Sequence, residues 1–143
     1  MKKIIYSCFL FSLFLVSGLF TRVSAQAFSN DELKTIMAND WVRGKTYTTE
    51  YLNTMPADKY PFKAADSVRS FAQQMLHLAM ANVFLMATGA DQQPLSWASF
   101  DLEKRTTAQS KDSVLYYVNA SYDFCLNAIK NCDPAKWKEK VSL

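Results

Sequence analysis

The segment from Ser70 to Gly89 is apolar around most of a helical circumference, and this feature restricts the fold more than any other. At about 100° per residue, methionine, leucine, valine and alanine side chains fall on nearly every side. Such a helix must be surrounded by other elements. One strip differs, and it holds Ser70, Gln73, Gln74, His77, Ala81, Phe84 and Thr88. His77 is the only histidine of the chain.

The N-terminus has the pattern of a secretory signal peptide. Lys2 and Lys3 precede a mostly apolar run over residues 4–20, and Val23-Ser24-Ala25 suits signal peptidase at −3 and −1. We predict that residues 1–25 are a cleaved signal of a bacterial protein exported to the periplasm or secreted. The alternative is an uncleaved membrane anchor, because the run is at the short limit for spanning a bilayer. After cleavage we expect no membrane association.

The charge of the predicted domain, residues 26–143, is balanced. The whole chain has 16 basic and 13 acidic residues, a formal charge of +3. Lys2, Lys3 and Arg22 lie in the predicted signal, so the remaining basic residues match the acidic ones in number. The composition therefore indicates one domain with no basic face for nucleic acid.

The first two helices have clear sequence boundaries. The first is capped by Ser29 or Asn30 and stops at Pro56. Gly44, in its middle, costs about 1 kcal/mol relative to alanine and indicates a close helix approach or a slight kink. The second is capped by Ser70 in a capping box and ends at Gly89.

A third helix and a short last segment complete the prediction. Residues 90–109 read as a loop with a short turn around 97–104, and Thr107 or Ser110 opens the third helix. Asp133 and Pro134 then restart the chain as a short helical segment. No strand-like alternation is present, so the expected fold is an all-α bundle that lacks one wall. The inward stripe of the third helix is Val114, Val118, Ser121, Tyr122, Cys125, Ile129 and Cys132.

The two cysteines of the predicted domain favour free thiols. On a continuous helix Cys125 and Cys132 would have Cα atoms ~10 Å apart, beyond the ~7 Å that a disulfide spans. A bridge would require the helix to end before Cys132.

The inventory of reactive side chains excludes several chemistries. One histidine cannot form a two-histidine metal motif, and three glycines cannot form a phosphate-binding loop. A Ser-His-Asp set stays open, yet no serine has the elbow-like setting of a nucleophile. His77 is most simply a partly exposed or hydrogen-bonded residue, because a structural or catalytic zinc needs three or four protein donors. Tyr122, Asp123 and Cys125 are conceivable partners for it, although no spacing supports them.

Three stretches together resemble the DinB-like superfamily of small helix bundles. They are residues 49–56 (TEYLNTMP) leading to 60–63 (YPFK), residues 68–82 (VRSFAQQMLHLAMAN), and residues 101–104 (DLEK) before a helix over 113–129. The resemblance implies an up-down four-helix bundle that binds a divalent metal, often zinc or nickel, through three histidines. One of these has the setting of His77, and the other two lie on the fourth helix. Some relatives are thiol transferases, isomerases or metal-assisted hydrolases.

The chain departs from this family pattern at its C-terminal end. The sequence stops about where the fourth helix would begin, so the second and third histidines are not in it. A truncated product or fragment, a partner chain that supplies the helix, and a degenerate member without metal all remain open. An absent helix should expose the apolar flank of the second helix, which favours instability, dimerisation or an incomplete sequence.

Two functional hypotheses follow. The first is an exported DinB-like protein of unknown activity that binds a divalent metal through His77 only if completed by a further helix or a partner. We do not expect this chain alone to be an enzyme or to hold a metal. The alternative is a non-catalytic helical interaction module that forms a homodimer through its exposed apolar face.

Overall fold

The computed structural model describes residues 28–138, and this part of the chain is all-α without a strand. The main helices are α1 (Asn30–Thr54), α2 (Phe71–Gly89) and α3 (Lys111–Asn131). The predicted signal peptide, residues 1–25, lies outside the described residues. Three main helices and a short last helical segment are therefore confirmed. The short 3₁₀ turns are Ala57–Lys59, Leu102–Lys104, Thr106–Ala108 and Pro134–Lys138.

Each main helix starts at a serine whose hydroxyl caps the first turn. Ser29 and Ser70 both form capping boxes, in which the third helical residue bonds back to the cap. Ser110 accepts a hydrogen bond from the backbone of Ser113. These side chains satisfy N–H groups that have no partner inside a helix. Of the alternatives left open by the sequence, Ser29 and Ser110 are the caps.

The end of α1 depends on Tyr60. The Leu52 carbonyl would normally accept from the residue four positions later, which is Pro56 and has no N–H. The Tyr60 hydroxyl donates to this carbonyl instead, at 2.9 Å. The Tyr60 carbonyl accepts from Ala72 N at 2.9 Å, and its ring packs edge-on against Phe71 at 5.0 Å. One buried tyrosine thus joins the end of α1 to the start of α2.

The end of α2 agrees with the prediction, but its geometry differs. The helix stops at Gly89, yet the left-handed residue after it is Asp91, with φ 52°. Ala90 N donates to the Met86 carbonyl at 2.9 Å and Gln92 N to that of Ala87 at 2.8 Å. Gly89 therefore does not use the positive φ that glycine favours.

α1 and α3 are antiparallel. At one end, Lys111 Nζ of α3 donates to the carbonyls of Asn53 in the last turn of α1 and of Met55 just after it. At the other end, Lys34 Nζ near the start of α1 donates to the Lys130 carbonyl at 3.3 Å. The start of each helix therefore lies beside the end of the other.

α2 and α3 are parallel, unlike the strict alternation of an up-down bundle. Both begin near the C-terminal end of α1, where Tyr60 binds Ala72 and where Lys111 binds the α1 carbonyls. Further along, Asn82 Nδ2 of α2 donates to Ser121 Oγ of α3 at 3.2 Å. The crossover segment, residues 90–110, returns the chain between them. The three main helices therefore run up, down and down along the chain. The long connection between α2 and α3 is a crossover of the kind seen in some four-helix bundles.

The core is centred on α3 rather than on α2. α3 packs against both other helices, whereas α1 and α2 contact each other much less. Leu85 of α2 stays 55% exposed, so the described chain does not enclose α2 on every side, as expected for a bundle that lacks one wall. No helix described between residues 28 and 138 combines the length and apolarity needed to cross a membrane. The predicted inward residues of α3 are buried, apart from half-buried Cys132: Val114, Val118, Ser121, Tyr122, Cys125 and Ile129.

Candidate functional site

His77 lies on the side of α2 that the crossover segment covers. The predicted polar strip of α2 faces this segment, and Phe84 on the same strip contacts Phe100 at 5.4 Å. The His77 side chain is 37% exposed. It is therefore a half-buried residue at the edge of the core.

Glu103 is the closest charged group to His77. Its Oε2 atom lies 2.8 Å from His77 Nδ1 and accepts a hydrogen bond from Arg69 Nε at 2.9 Å. Buried Leu102 anchors this turn, and the Gln109 side chain donates to the Glu103 carbonyl at 2.9 Å. We call Arg69, His77 and Glu103 the His77 cluster. It joins the crossover segment to the first half of α2.

The contact between His77 and Glu103 is close but poorly aligned. His77 Nδ1 is buried, and its N–H forms no well-directed hydrogen bond with a described residue. The short distance to a carboxylate nevertheless favours a proton on Nδ1. Nε2 is then the ring nitrogen with a lone pair available to a ligand.

The cluster lowers the pKa of Glu103. Partial burial raises the pKa of this carboxyl, but the hydrogen bond and charge of Arg69, followed by the contact with His77, outweigh burial. The net result is a pKa below the ordinary value of 4.5. Glu103 is therefore held as a carboxylate by two basic side chains.

The residues that we considered as partners of His77 on α3 have other contacts. Tyr122 bonds to Thr48, Asp123 pairs with Lys45 at 2.6 Å, and the Cys125 thiol donates to the Asn82 carbonyl. Sequence reasoning missed Arg69 and Glu103. One signal in the sequence could have indicated them: Arg69 and Glu103 lie within residues 68–82 and 101–104, two of the three stretches that carry the resemblance.

The His77 cluster does not by itself fit a divalent metal. Zinc takes three or four protein donors, and residues 28–138 contain no group of three His, Cys, Asp or Glu side chains placed to hold an ion. His77 offers one nitrogen, and the oxygen nearest to it is shared with Arg69.

A groove between α1 and α2, floored by α3, is the second candidate site. α1 and α2 both pack on α3 but make few contacts with each other. Two hollows lie along the groove, one of about 240 Å³ and one of about 290 Å³. The first is lined by Asp40, Trp41, Gly44, Asn82 and Tyr122, and the second includes Tyr51, Met55, Phe71 and Met75.

α1 and α2 also expose large apolar side chains. Soluble monomers rarely leave such side chains in a continuous patch. On the helical wheel, the groove lies on the side of α2 away from His77. Tyr51, which lines the second hollow, is 55% exposed. Other exposed apolar side chains of α1 and α2 include Ile36 at 44%, Met37 at 39%, Tyr47 at 64% and Leu85 at 55%.

The two described cysteines are free. Cys125 is buried, and burial raises the pKa of its thiol to about 12. Cys132 is half-buried just after α3, where Trp137 Nε1 donates to its sulfur at 3.3 Å. The expectation of free thiols is confirmed for this pair.

Comparison with protein families, curated proteins and solved structures found no match to this chain.

Proposed function

We propose that this protein is an exported helical interaction module that forms a homodimer through the apolar groove between α1 and α2. The observation that carries this proposal is the exposure of Met37, Tyr47 and Tyr51 on one stripe of α1, with Leu85 exposed on α2. Burying apolar surface is the main driving force for protein association. No reaction is assigned to the chain.

Sedimentation of the exported protein over a range of concentrations tests this function. We expect a dimer for the wild type. Leu85→Glu should give a monomer with unchanged helical content, because Leu85 is exposed and its replacement does not place a charge in the core. Tyr116→Glu is the matched control, since Tyr116 is 63% exposed on α3. A monomer at every wild-type concentration would contradict the proposal.

Export is tested on the same material. If residues 1–25 are a cleaved signal, the intact mass of protein recovered after export should correspond to a chain that begins at Gln26. A mass that includes residues 1–25 would favour the membrane-anchor alternative.

A divalent-metal site at His77 is the second candidate function, in keeping with the DinB-like resemblance. The favouring observation is Glu103 beside Nδ1, because metal-binding histidines usually have a carboxylate or carbonyl partner at the other ring nitrogen. The remaining donors would come from a further helix or a partner. Zinc and nickel content of the purified wild type and of His77→Ala tests this candidate. Equal content in both would remove His77 from any metal site.

A further inference from the structure

The side of α1 that faces α3 carries one complete set of contacts. Lys45 pairs with Asp123 at 2.6 Å, Thr48 bonds to Tyr122 at 2.9 Å, and Leu52 is fully buried. α3 therefore satisfies this side of the helix.

A second stripe of α1 has the spacing of a coiled-coil seam. Its members recur at alternating intervals of four and three residues, and they lie on the groove side of the helix. Met37, Tyr47 and Tyr51 are exposed, and Leu33 and Gly44 are half-buried. We call this stripe the outer seam: Leu33, Met37, Asp40, Gly44, Tyr47 and Tyr51.

We propose that the outer seam binds the outer seam of a second copy of this chain in an antiparallel pair. This inference rests on the proposed function and names the contact that forms the dimer. An antiparallel coiled coil places each a position opposite a d position of its partner. Leu33 then lies opposite Tyr51 of the second copy, Met37 opposite its Tyr47, and Asp40 opposite its Gly44.

The reversed seam is complementary to itself. Each large apolar side chain meets another large side chain, and the one charged residue meets glycine. Asp40 is already paired with Arg43 at 2.8 Å, so it enters the interface as part of an ion pair. A glycine opposite this pair leaves room for both side chains. The helix of an unrelated protein would not be expected to present side chains that match the outer seam in this reversed order.

The intramolecular packing of Gly44 does not require glycine. A Cβ atom added there would lie 3.5 Å from Tyr122 Cε1, an ordinary contact distance, and φ at Gly44 is not positive. Glycine in a helix interior also lowers helix propensity. A requirement for space on the groove side therefore explains this residue better than the fold of one copy does.

The exposed apolar area agrees with a dimer of standard size. Tyr47 and Tyr51 are 64% and 55% exposed, and at ~200 Å² for a whole aromatic side chain they alone offer roughly 240 Å². Exposed Ile36, Met37 and Leu85 add to this area. A stable interface buries about 800 Å² per partner, of which about 60% is apolar. The groove walls supply approximately that apolar share.

Gly44→Leu tests the seam without disturbing the fold. In a single copy the hollow beside Gly44 has room for the new side chain, and leucine is a better helix former than glycine. In the antiparallel pair, the leucine would compete for that space with the Asp40–Arg43 ion pair of the second copy. We expect the variant to keep its helical content but to dimerise at least 10-fold more weakly in sedimentation. Asn39→Leu is the matched control, because Asn39 is an exposed α1 residue outside both contact sides, and it should leave the dimer unchanged.

Photo-crosslinking from position 47 tests the direction. With benzoylphenylalanine in place of Tyr47, mass spectrometry should locate the intermolecular link near Met37 of the second copy. The same probe at position 116 should give no intermolecular link. A link to residue 47 itself, or a Gly44→Leu dimer as tight as wild type, would overturn the antiparallel seam.

The two proposals fail in different ways. If Leu85→Glu abolishes the dimer but Gly44→Leu does not, the groove is still the interface and only the seam is wrong. If the wild type is a monomer throughout, both proposals are wrong.

Discussion

Removing the hydroxyl of Tyr60 should destabilise the protein although the ring stays in place. The Leu52 carbonyl that it serves is buried and has no backbone donor, because Pro56 occupies the position that would supply one. Burial and the nearby Asp112 charge raise the pKa of Tyr60, so the hydroxyl stays protonated and can donate. Leaving a buried carbonyl unsatisfied costs about 2 kcal/mol. We therefore expect Tyr60→Phe to lower the free energy of unfolding by about that amount.

Urea denaturation at one protein concentration measures this loss. The midpoint should fall by about 1–2 M with an unchanged slope, and the melting temperature should fall by roughly 10 °C. Tyr116→Phe is the matched control, because Tyr116 is 63% exposed and keeps its ring contact with Tyr117. A Tyr60→Phe protein within 0.5 kcal/mol of wild type, roughly the range of surface substitutions, would refute the assigned role of the hydroxyl.

Three further predictions concern the His77 cluster, the thiols and a helix cap. Glu103→Gln should cost about 1 kcal/mol or less at pH 7. The pKa of Glu103 is lower in the folded protein than in the unfolded chain. Its contribution to stability is therefore present above the unfolded pKa and is lost as the pH falls through the folded pKa. Urea melts of wild type and variant at pH 7 and pH 3 check this, and a stability difference that does not change with pH contradicts it. Iodoacetamide at pH 8 should label native Cys132 but not Cys125, whose thiol pKa is about 12; equal labelling rates by mass spectrometry would be evidence against burial. Ser70→Ala should lower the free energy of unfolding by ~1 kcal/mol in urea melts, whereas Ser67→Ala, at an exposed serine, should change it very little. Equal urea midpoints for the two variants would exclude a stabilising cap at Ser70.

The helix boundaries could be predicted from the sequence because local chemistry determines them. Ser29 and Ser70 cap their helices with their own side chains, and Pro56 ends the first by lacking an N–H. The inward stripe of α3 was also predictable, because the apolar period of a helix shows which residues are buried. Each of these signals spans only a few neighbouring residues.

The packing of the helices and the His77 cluster could not be predicted in the same way. An apolar helix such as α2 shows that it needs neighbours, but its pattern does not specify which helix touches it. The Arg69–Glu103 pair joins residues 34 positions apart across a segment without regular periodicity. No local rule indicates that Glu103 lies beside His77. The sequence therefore does not show that the partner of His77 lies on the crossover segment and not on α3.

The packing of α1 on α3, the last of the main helices, affects the order in which the chain can fold during synthesis. Hydrogen bonds between the side chains of α1 and residues of α3 join positions 70 to 96 apart. A ribosome therefore completes most of the protein before α1 meets the helix on which it packs, and contacts so distant in sequence form slowly. Nascent chains arrested before residue 110 should leave α1 open to proteases, whereas chains released after residue 138 should protect it.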